Sequence, residues 1–332
     1  MRYRLGLIIE ALRDLYFLAT IPLLRLLRAL IVPLAALMGG RRRAEYALIN
    51  LSNLLVSPLT RHLGRSRDAM ESLDRFWDTY DRNGLEIYAE IMGDSKWFAG
   101  KRVLDFGCGV GRKAYELAAN GAAEVVGIDL AERCIGVAQA KAGQNGCLSY
   151  LAVDLADLPD RGYRSAFDHV VSFTVFEHLS DPKSILAGLS ELLAPGGRIL
   201  IVFNYYHDKW GMHLGSFVSH PWPQAIFSEQ ILFEYWTDRL KDAHRRGGMG
   251  YFPADYRHGA DGHNNDCFLN LNRWTVDDFE RCVAASGWTI ARRSMYSRSP
   301  LARLLGTRDG SALGKWLAGS GAYLLERAGG KA

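Results

Sequence analysis

The stretch LDFGCGVGRK, residues 104–113, holds the residue types best suited to gripping a ligand. Asp105 precedes three alternate glycines, Gly107, Gly109 and Gly111. Glycine lets the backbone turn sharply and approach a ligand closely, and a helix predicted from about Arg112 would point its free N–H groups at that ligand. A dinucleotide loop has the spacing GxGxxG. Counted from the first glycine here, its third glycine position holds Arg112, so a dinucleotide fits poorly.

Histidines form a second group of chemically active side chains. His178 lies in the sequence FEHL, and His213 and His220 lie in the aromatic-rich segment 204–223. Imidazole titrates near neutral pH and suits general-base work on a hydroxyl group. We therefore take all three as candidate catalytic bases. The alternative for each is a structural histidine, packed among aromatic rings or hydrogen-bonded to a neighbouring loop.

Regular elements must hold these residues in place. Strands are predicted at 101–106, 124–130, 148–155, 167–173, 196–203, 288–297 and 321–328. Helices are predicted at 72–97, 112–120, 131–143, 182–193, 227–246 and 275–287, the last with a capping box between Thr275 and Asp278. Apolar strands alternating with helices indicate a parallel sheet covered on both faces. The segment 204–275, rich in Trp, Tyr and His, departs from this alternation and is predicted to be an inserted lid.

Five motifs in order over about residues 100–203 resemble those of the class I S-adenosylmethionine-dependent methyltransferases. They are VLDFGCGVGRK, VVGIDL, LAVDLADLP, FDHVVSFTVFEHLSDP and LLAPGGRILI. The resemblance implies an α/β fold with a Rossmann-like, doubly wound, seven-stranded sheet, and S-adenosylmethionine as the cofactor. One glycine loop alone is weak evidence, whereas five motifs in order are specific.

The resemblance also implies which residues hold the cofactor. Asp105 and the loop backbone would hold its methionine end, Asp129 would accept from both ribose hydroxyls, and Asp154 would accept from the adenine amino group. The backbone around Phe173 would close over the methionine amine. The implied cofactor-binding residues are Asp105, Gly107, Gly109, Gly111, Asp129, Leu130, Asp154, Leu155 and Phe173. For any single acid, the alternative is a helix N-cap or a solvated turn.

The FEHL sequence resembles the quinone-pathway O-methyltransferases and the small-RNA 3′-end methyltransferases. Some of those bind a divalent metal through an acid three residues before the Glu-His pair. That position is Thr174 here, so no metal site is expected.

The N-terminal region is apolar and basic. Residues 1–67 hold 11 Lys/Arg and 3 Asp/Glu, a net charge of +8 (11 − 3), within a chain of net charge +4. On a helical wheel Glu10, Arg13, Asp14, Arg25 and Arg28 share a sector of roughly 120°, and the rest of residues 5–39 is almost entirely apolar. Such a helix is typical of the bilayer interface. A face packed on the protein's own core or on a second subunit, and a true span, are the alternatives.

Two prolines and a basic triplet complete the description of this region. Pro22 and Pro33 are expected to kink or divide the helix. Arg41–Arg43 suit anionic headgroups, and residues 51–67 are predicted to form a second surface helix. Residues 1–66 are thus expected to be a helical extension of a methyltransferase domain at 67–332.

Composition narrows the partners and the compartment. The chain has 332 residues, 48% hydrophobic and 23% charged, which is ordinary globular composition. Its five cysteines are scattered and form no CxxC pair, which favours a reducing compartment. No arginine-rich, aromatic-interleaved face adjoins the predicted site, so nucleic acid is not expected as a partner.

The predicted function is methyl transfer to a small or lipid-linked acceptor, through oxygen rather than carbon, at the cytoplasmic face of the membrane. One alternative is a soluble natural-product methyltransferase whose N-terminal helices cap the acceptor pocket or form a homodimer. A second is a cofactor-binding scaffold without chemistry.

Overall fold

The computed structural model describes residues 2–60, 71–79, 84–143, 145–208, 213–250, 252, 271–296 and 319–328. The chain divides into two compact units. The helical unit comprises Met1–Ser72, His207–His258 and Ser297–Gly319, and the sheet unit comprises Leu73–Tyr206, Gly259–Tyr296 and Ser320–Ala332. Much of the predicted lid therefore groups with the N-terminal region. Lid residues 209–212, 251 and 253–270 lie outside the described residues.

The sheet unit contains seven strands. They are β1 (Arg102–Phe106), β2 (Glu124–Asp129), β3 (Leu148–Ala152), β4 (Phe167–Phe173), β5 (Leu193–Asn204), β6 (Trp288–Tyr296) and β7 (Ser320–Arg327). Their spatial order is β3-β2-β1-β4-β5-β7-β6. Strands β1 to β5 pair in parallel, and β7 pairs antiparallel with both β5 and β6. The predicted seven-stranded, doubly wound sheet is confirmed.

Helices cover both faces of this sheet. In chain order the helices described for the whole protein are α1 (Arg2–Leu37), α2 (Arg41–Val56), α3 (Leu73–Thr79), α4 (Gly84–Met92), α5 (Arg112–Ala119), α6 (Glu132–Ala142), α7 (Pro182–Leu192), α8 (Glu229–Arg245) and α9 (Val276–Ala285). The single helix predicted at 72–97 is two helices, α3 and α4. The predicted capping box is present: the Thr275 hydroxyl accepts from the Asp278 amide, and the Asp278 carboxylate accepts from the Thr275 amide.

The sheet core is apolar because its central strands are buried on both faces. Val103, Val125, Val171 and Leu200 are fully buried side chains from four neighbouring strands. The order of the sheet changes direction between β1 and β4, since β2 lies on one side of β1 and β4 on the other. Ligands of open α/β sheets bind outside the carboxyl ends of the strands at such a switch point, and the glycine loop follows β1 directly.

The helical unit is built on α1 and α2. The Tyr16 hydroxyl donates to the Leu55 carbonyl, and Arg28 makes a bidentate pair with Glu45, so the two helices pack antiparallel. Helix α1 runs through Pro22 and Pro33 without a break, so these prolines do not divide it, and the kink expected as the other outcome stays a prediction. The second helix begins at Arg41, ten residues before its predicted start, and the basic triplet forms its first turn.

Candidate functional site

The glycine loop is fixed by hydrogen bonds to the neighbouring strand. The amides of Gly107 and Cys108 both donate to the Ile128 carbonyl at 2.9 Å. One residue later, the Gly109 amide donates to Oδ2 of Asp129 at 2.9 Å. The other carboxylate oxygen of Asp129 accepts from the Ala131 amide, also at 2.9 Å, ahead of α6. Asp129 thus holds the loop and a helix start together.

The three loop glycines are required for different reasons. All three have positive φ, at 74°, 54° and 84° for Gly107, Gly109 and Gly111. A Cβ at Gly107 would overlap the Val175 side chain, and one at Gly111 would lie 2.5 Å from a Tyr150 ring carbon. A Cβ at Gly109 would meet nothing within 4 Å. The outer glycines therefore serve packing, whereas the middle one borders open space.

Asp105 is a buried acid with an unused oxygen. It is 2% exposed, and its Oδ2 has no hydrogen-bond partner in the described part of the chain. Burial raises the pKa of Asp105 to about 7; the charge of Lys113 lowers it, the charge of Asp129 raises it, and a hydrogen bond from the Ala114 amide lowers it. A buried carboxylate with a free acceptor beside an open glycine can take a ligand that carries a cationic amine.

Lys113 is a residue of this site that the sequence predictions missed. It lies in the first turn of α5, is 4% exposed, and places its ammonium nitrogen 3.8 Å from the centroid of the Phe173 ring. The helical spacing could have indicated that Lys113 is buried, because residues 113 and 117 lie on one face of the helix and Leu117 is fully buried. The basic side chain therefore lies on the inner stripe of α5, between the first predicted acid and the end of β4.

The third predicted acid follows β3. Asp154 is exposed, and its side chain accepts from the Ala156 amide at 2.9 Å, which caps the 3₁₀ turn Leu155–Asp157. Leu155 is buried beneath this turn, whereas Leu130, which follows Asp129, is 44% exposed. The helix-cap alternative considered for this acid is thus what the structure displays, and one carboxylate oxygen is not used by the cap.

The turn after β4 carries His178 and is anchored by its neighbour. Glu177 is 2% exposed, and its Oε1 accepts from the side-chain amide of Asn204 at 3.1 Å. From far along the chain, the backbone amide of Asn272 donates to the Glu177 carbonyl at 2.7 Å, and its side chain donates to the Phe176 carbonyl at 2.6 Å. His178 is half-buried at the end of this clamped turn. Sequence reasoning identified neither asparagine, because both act through long-range contacts.

The other two candidate histidines belong to the helical unit. His213 is half-buried and has a left-handed backbone, with φ of 55°. His220 is fully buried: its Nδ1 contacts the Pro221 carbonyl at 2.5 Å, and its Nε2 lies 2.8 Å from the Thr20 hydroxyl. Since a carbonyl only accepts, Nδ1 carries the proton. Nε2 faces the Thr20 hydroxyl, whose single hydrogen is also within hydrogen-bond distance of the Phe17 carbonyl, at 2.6 Å. Burial lowers the pKa of His220 to about 4. Both ring nitrogens are occupied, which is the arrangement of a structural histidine.

The structure therefore brings the glycine loop, Asp105, Asp129 and Phe173 together at the carboxyl ends of β1, β2 and β4. Asp154 and Leu155 follow β3 in the same unit, and so does the turn of His178 after β4. The action of His213 and His220 on a substrate stays a prediction. Within the described residues, no group of three or more His, Cys, Asp or Glu side chains is arranged to hold a metal ion.

Residues 104–201 match the family model described as a methyltransferase domain. The chain is 44% identical over 170 residues to a ubiquinone biosynthesis O-methyltransferase of Cereibacter sphaeroides, covering 48% of this chain and 67% of that protein. It is 33% identical over 151 residues to the protein of the same name from Neisseria meningitidis serogroup A, covering 42% of this chain and 62% of the relative. The chain thus spans about three fifths of that relative's length.

Solved structures are similar at lower identity. A magnesium protoporphyrin IX methyltransferase from Synechocystis with bound SAH is 20% identical, with a TM-score of 0.45, covering 80% of this chain and 99% of that one. An S-adenosylmethionine-dependent methyltransferase from Mesorhizobium loti is 17% identical, with a TM-score of 0.45, covering 77% and 100% respectively.

Proposed function

This chain belongs to the class I S-adenosylmethionine-dependent methyltransferases, and from that membership we propose that it transfers a methyl group to a hydroxyl oxygen of a small or lipid-linked acceptor. The observation that carries the proposal is the cradle formed by Asp105, Gly109 and Asp129. A buried carboxylate oxygen without a partner, a glycine bordering open space and a second carboxylate on the adjoining strand suit a ligand with an amine at one end and a diol beyond it.

The residues present fit S-adenosylmethionine. Asp105 and the loop backbone would hold its amino-acid end, Asp129 its ribose hydroxyls and Asp154 its adenine amino group. The exposed Leu130 side chain offers an apolar surface beside the ribose acid. The cofactor supplies a methyl group already activated on a sulfonium, so the protein's main task is to align the acceptor and to exclude water.

Proton removal from the acceptor hydroxyl is assigned to His213 or His178. Both are half-buried and therefore retain access to solvent or substrate. We assign His220 a structural role instead, since its two nitrogens are committed to Pro221 and Thr20. Glu177 is a positioning residue in this scheme, because it holds the turn that carries His178.

We place the enzyme on the cytoplasmic face of the membrane, with the helical unit as its attachment. The basic net charge of residues 1–67 and the apolar composition of α1 support this location. By length and composition, Ile8–Leu37 is a helix that could also cross a membrane. A soluble methyltransferase whose N-terminal helices cap the acceptor pocket or dimerise, and a non-catalytic scaffold, are the competing functions.

The test uses full-length protein, methyl-labelled S-adenosylmethionine and host extract separated into lipid and aqueous fractions. We expect the label to enter the lipid fraction. Label confined to the aqueous fraction would indicate a soluble acceptor. Tight binding of S-adenosylhomocysteine with no labelled product in either fraction would favour the scaffold. Absence of binding would overturn the cofactor assignment itself.

A further inference from the structure

Helix α1 presents a continuous apolar stripe to the outside. Six leucines spaced three, four or eight residues apart lie on one side of the helix within about 100° of arc. They are Leu12, Leu15, Leu23, Leu26, Leu30 and Leu34, with exposed fractions between 47% and 63%. Exposed apolar surfaces of this extent on soluble proteins mark interaction sites. We call these six residues the outer stripe.

The opposite side of α1 packs against the rest of the helical unit. Phe17 packs with Val56 and Trp222, Asp14 and Leu24 are fully buried, and Arg28 pairs with the buried Glu45 at 2.8 Å. Within the charged sector seen in the sequence, Asp14 and Arg28 therefore face the protein, whereas Glu10 and Arg25 are exposed. The outer stripe lies on the side away from these buried contacts.

This packing determines how the helix meets a bilayer. Buried contacts run from Ala11 to Val32, which at 1.5 Å per residue is about 30 Å of helix. That length equals the thickness of the hydrocarbon core. A spanning helix would have to lose every one of these contacts. A helix lying in the membrane plane keeps them and inserts only its outer stripe.

The basic charge near the outer stripe favours an anionic bilayer as its binding partner. Arg25, Arg41 and Arg43 are exposed on the two helices, whereas Arg42 is paired with Asp238 at 2.7 Å. A second copy of the chain would bring two regions of net charge +8 against each other, which is unfavourable. Anionic headgroups complement the same charge.

The inner side of the two helices contacts the segment that carries His213 and His220. The Asn53 side chain donates to the Phe217 carbonyl at 2.8 Å and accepts from the Ser219 amide at 2.7 Å. Thr20 bonds His220, and Trp222 packs beneath α1. The membrane-facing helices and residues 213–227 are therefore parts of one packed structure.

We infer that α1 lies in the plane of an anionic bilayer with its outer stripe inserted, and that α1 and α2 thereby hold residues 213–227 at the membrane surface. The acceptor is then an amphiphile taken from the bilayer, with its reactive hydroxyl at the headgroup level. This last step rests on the proposed function, whereas the docking itself does not.

Vesicle flotation of the full-length protein tests the docking. We expect the protein to float with vesicles of phosphatidylcholine and phosphatidylglycerol, and to float less with phosphatidylcholine alone. Leu12→Glu, Leu23→Glu and Leu34→Glu should each lower partitioning by about tenfold or more, since each removes a leucine side chain that the proposal inserts into the bilayer. The matched control is Ala187→Glu, which adds the same charge at an exposed helical position in α7 of the sheet unit and should float like the parent.

The pattern across the three positions separates the orientations. In-plane insertion predicts similar losses at Leu12, Leu23 and Leu34, because all three lie at one depth. A large loss at Leu23 alone would indicate a span and overturn the proposal. Partitioning of all three variants into vesicles to the same extent as the parent would also overturn the proposal. A parent that is dimeric in solution, does not float, and becomes monomeric on Leu23→Glu would show that a second copy covers the stripe.

Two further readouts keep this inference distinct from the proposed function. Hydrogen exchange of residues 213–227 should slow when vesicles are added, and an unchanged rate would overturn the coupling of that segment to the membrane. S-adenosylhomocysteine binding, measured by calorimetry without vesicles, should be the same for the parent and the outer-stripe variants. If the protein floats with vesicles but gives no labelled lipid product, the docking stands and the lipid acceptor is rejected. If labelled lipid forms but the protein does not float, the lipid acceptor stands and the docking is rejected.

Discussion

The backbone amide of Gly109 donates to the carboxylate of Asp129 at 2.9 Å, so the acid at the end of β2 holds the loop at the end of β1. One side chain thereby shapes the cradle and lines it. Its loss should cost the site both a ligand contact and the shape of the loop.

Asp129→Ala is expected to weaken S-adenosylhomocysteine binding by about tenfold to a hundredfold, since hydrogen bonds to a charged group contribute roughly 1.5–3 kcal/mol. Isothermal calorimetry measures the change. The control is Asp160→Ala, which removes an exposed acid from the same unit and should leave binding unchanged. Equal affinity of Asp129→Ala and the parent would refute the cofactor assignment.

Asp105 should make cofactor binding depend on pH. Burial holds the pKa of Asp105 at about 7, and only the ionised carboxylate attracts the ligand's ammonium group. Affinity for S-adenosylhomocysteine should therefore rise by about tenfold as pH increases from about 6 to about 8. Asp105→Asn should bind more weakly and lose this dependence. A parent profile as flat as that of the variant would contradict the assignment.

The same raised pKa affects folding with a definite sign. Between about pH 4 and about pH 7 the folded carboxyl keeps its proton while the unfolded one has lost it, so the free energy of unfolding falls as pH rises through that range. Relative to the parent, Asp105→Asn should gain stability over the same range. Denaturant titrations at several pH values measure the difference, and a constant difference would be inconsistent with the buried acid.

Alanine substitutions at Gly109 and at Gly100, two glycines of similar backbone conformation, distinguish a role in ligand binding from a purely conformational one. Gly109 and Gly100 have φ of 54° and 68°, and a Cβ at either would meet no atom within 4 Å. Alanine at either position should cost about 1–2 kcal/mol of stability from the left-handed backbone. Only Gly109→Ala should also weaken S-adenosylhomocysteine binding, because its methyl group enters the cradle. Equal binding by the two variants would place the ligand elsewhere.

Substitutions of His220 and of His213 should have different effects on stability and on turnover. His220→Gln should lower stability with little change in turnover per folded molecule, whereas His213→Ala should lower kcat and leave the melting temperature almost unchanged. The pKa of His220 is lowered to about 4, so its unfolded form binds more protons below about pH 6.5 and stability falls as pH drops from there toward 4.

Because His220→Gln cannot titrate, the stability gap between it and the parent should narrow by roughly 2 kcal/mol on going from pH 7 to about 5. His169, whose pKa is also lowered to about 4, titrates in both proteins and cancels from the comparison. A gap that does not change with pH would contradict the buried neutral ring. Unchanged turnover of His213→Ala would remove that residue from the candidate bases.

Local patterns in the sequence were sufficient for the sheet and for the positions of the acids at the ends of its strands. Strand β4 has the predicted bounds, and the capping box of α9 joins the two predicted residues. Such features depend on residues a few positions apart, where backbone sterics and side-chain spacing set the outcome. The alternate glycines and the acids that end the strands belong to the same class, and so they could be placed before any tertiary contact was known.

Only the tertiary structure decided which polar groups are buried and with what partner. His220 meets Thr20 across 200 residues, Glu177 meets Asn272, and Lys113 lies over a ring at the end of another strand. Helix α1 shows the same limit, because it is apolar around most of its circumference and periodicity cannot say which side packs. Long-range packing chose the side with Asp14 and Arg28, where burial is compensated by a partner such as Glu45. The leucines on the other side remain exposed for that reason.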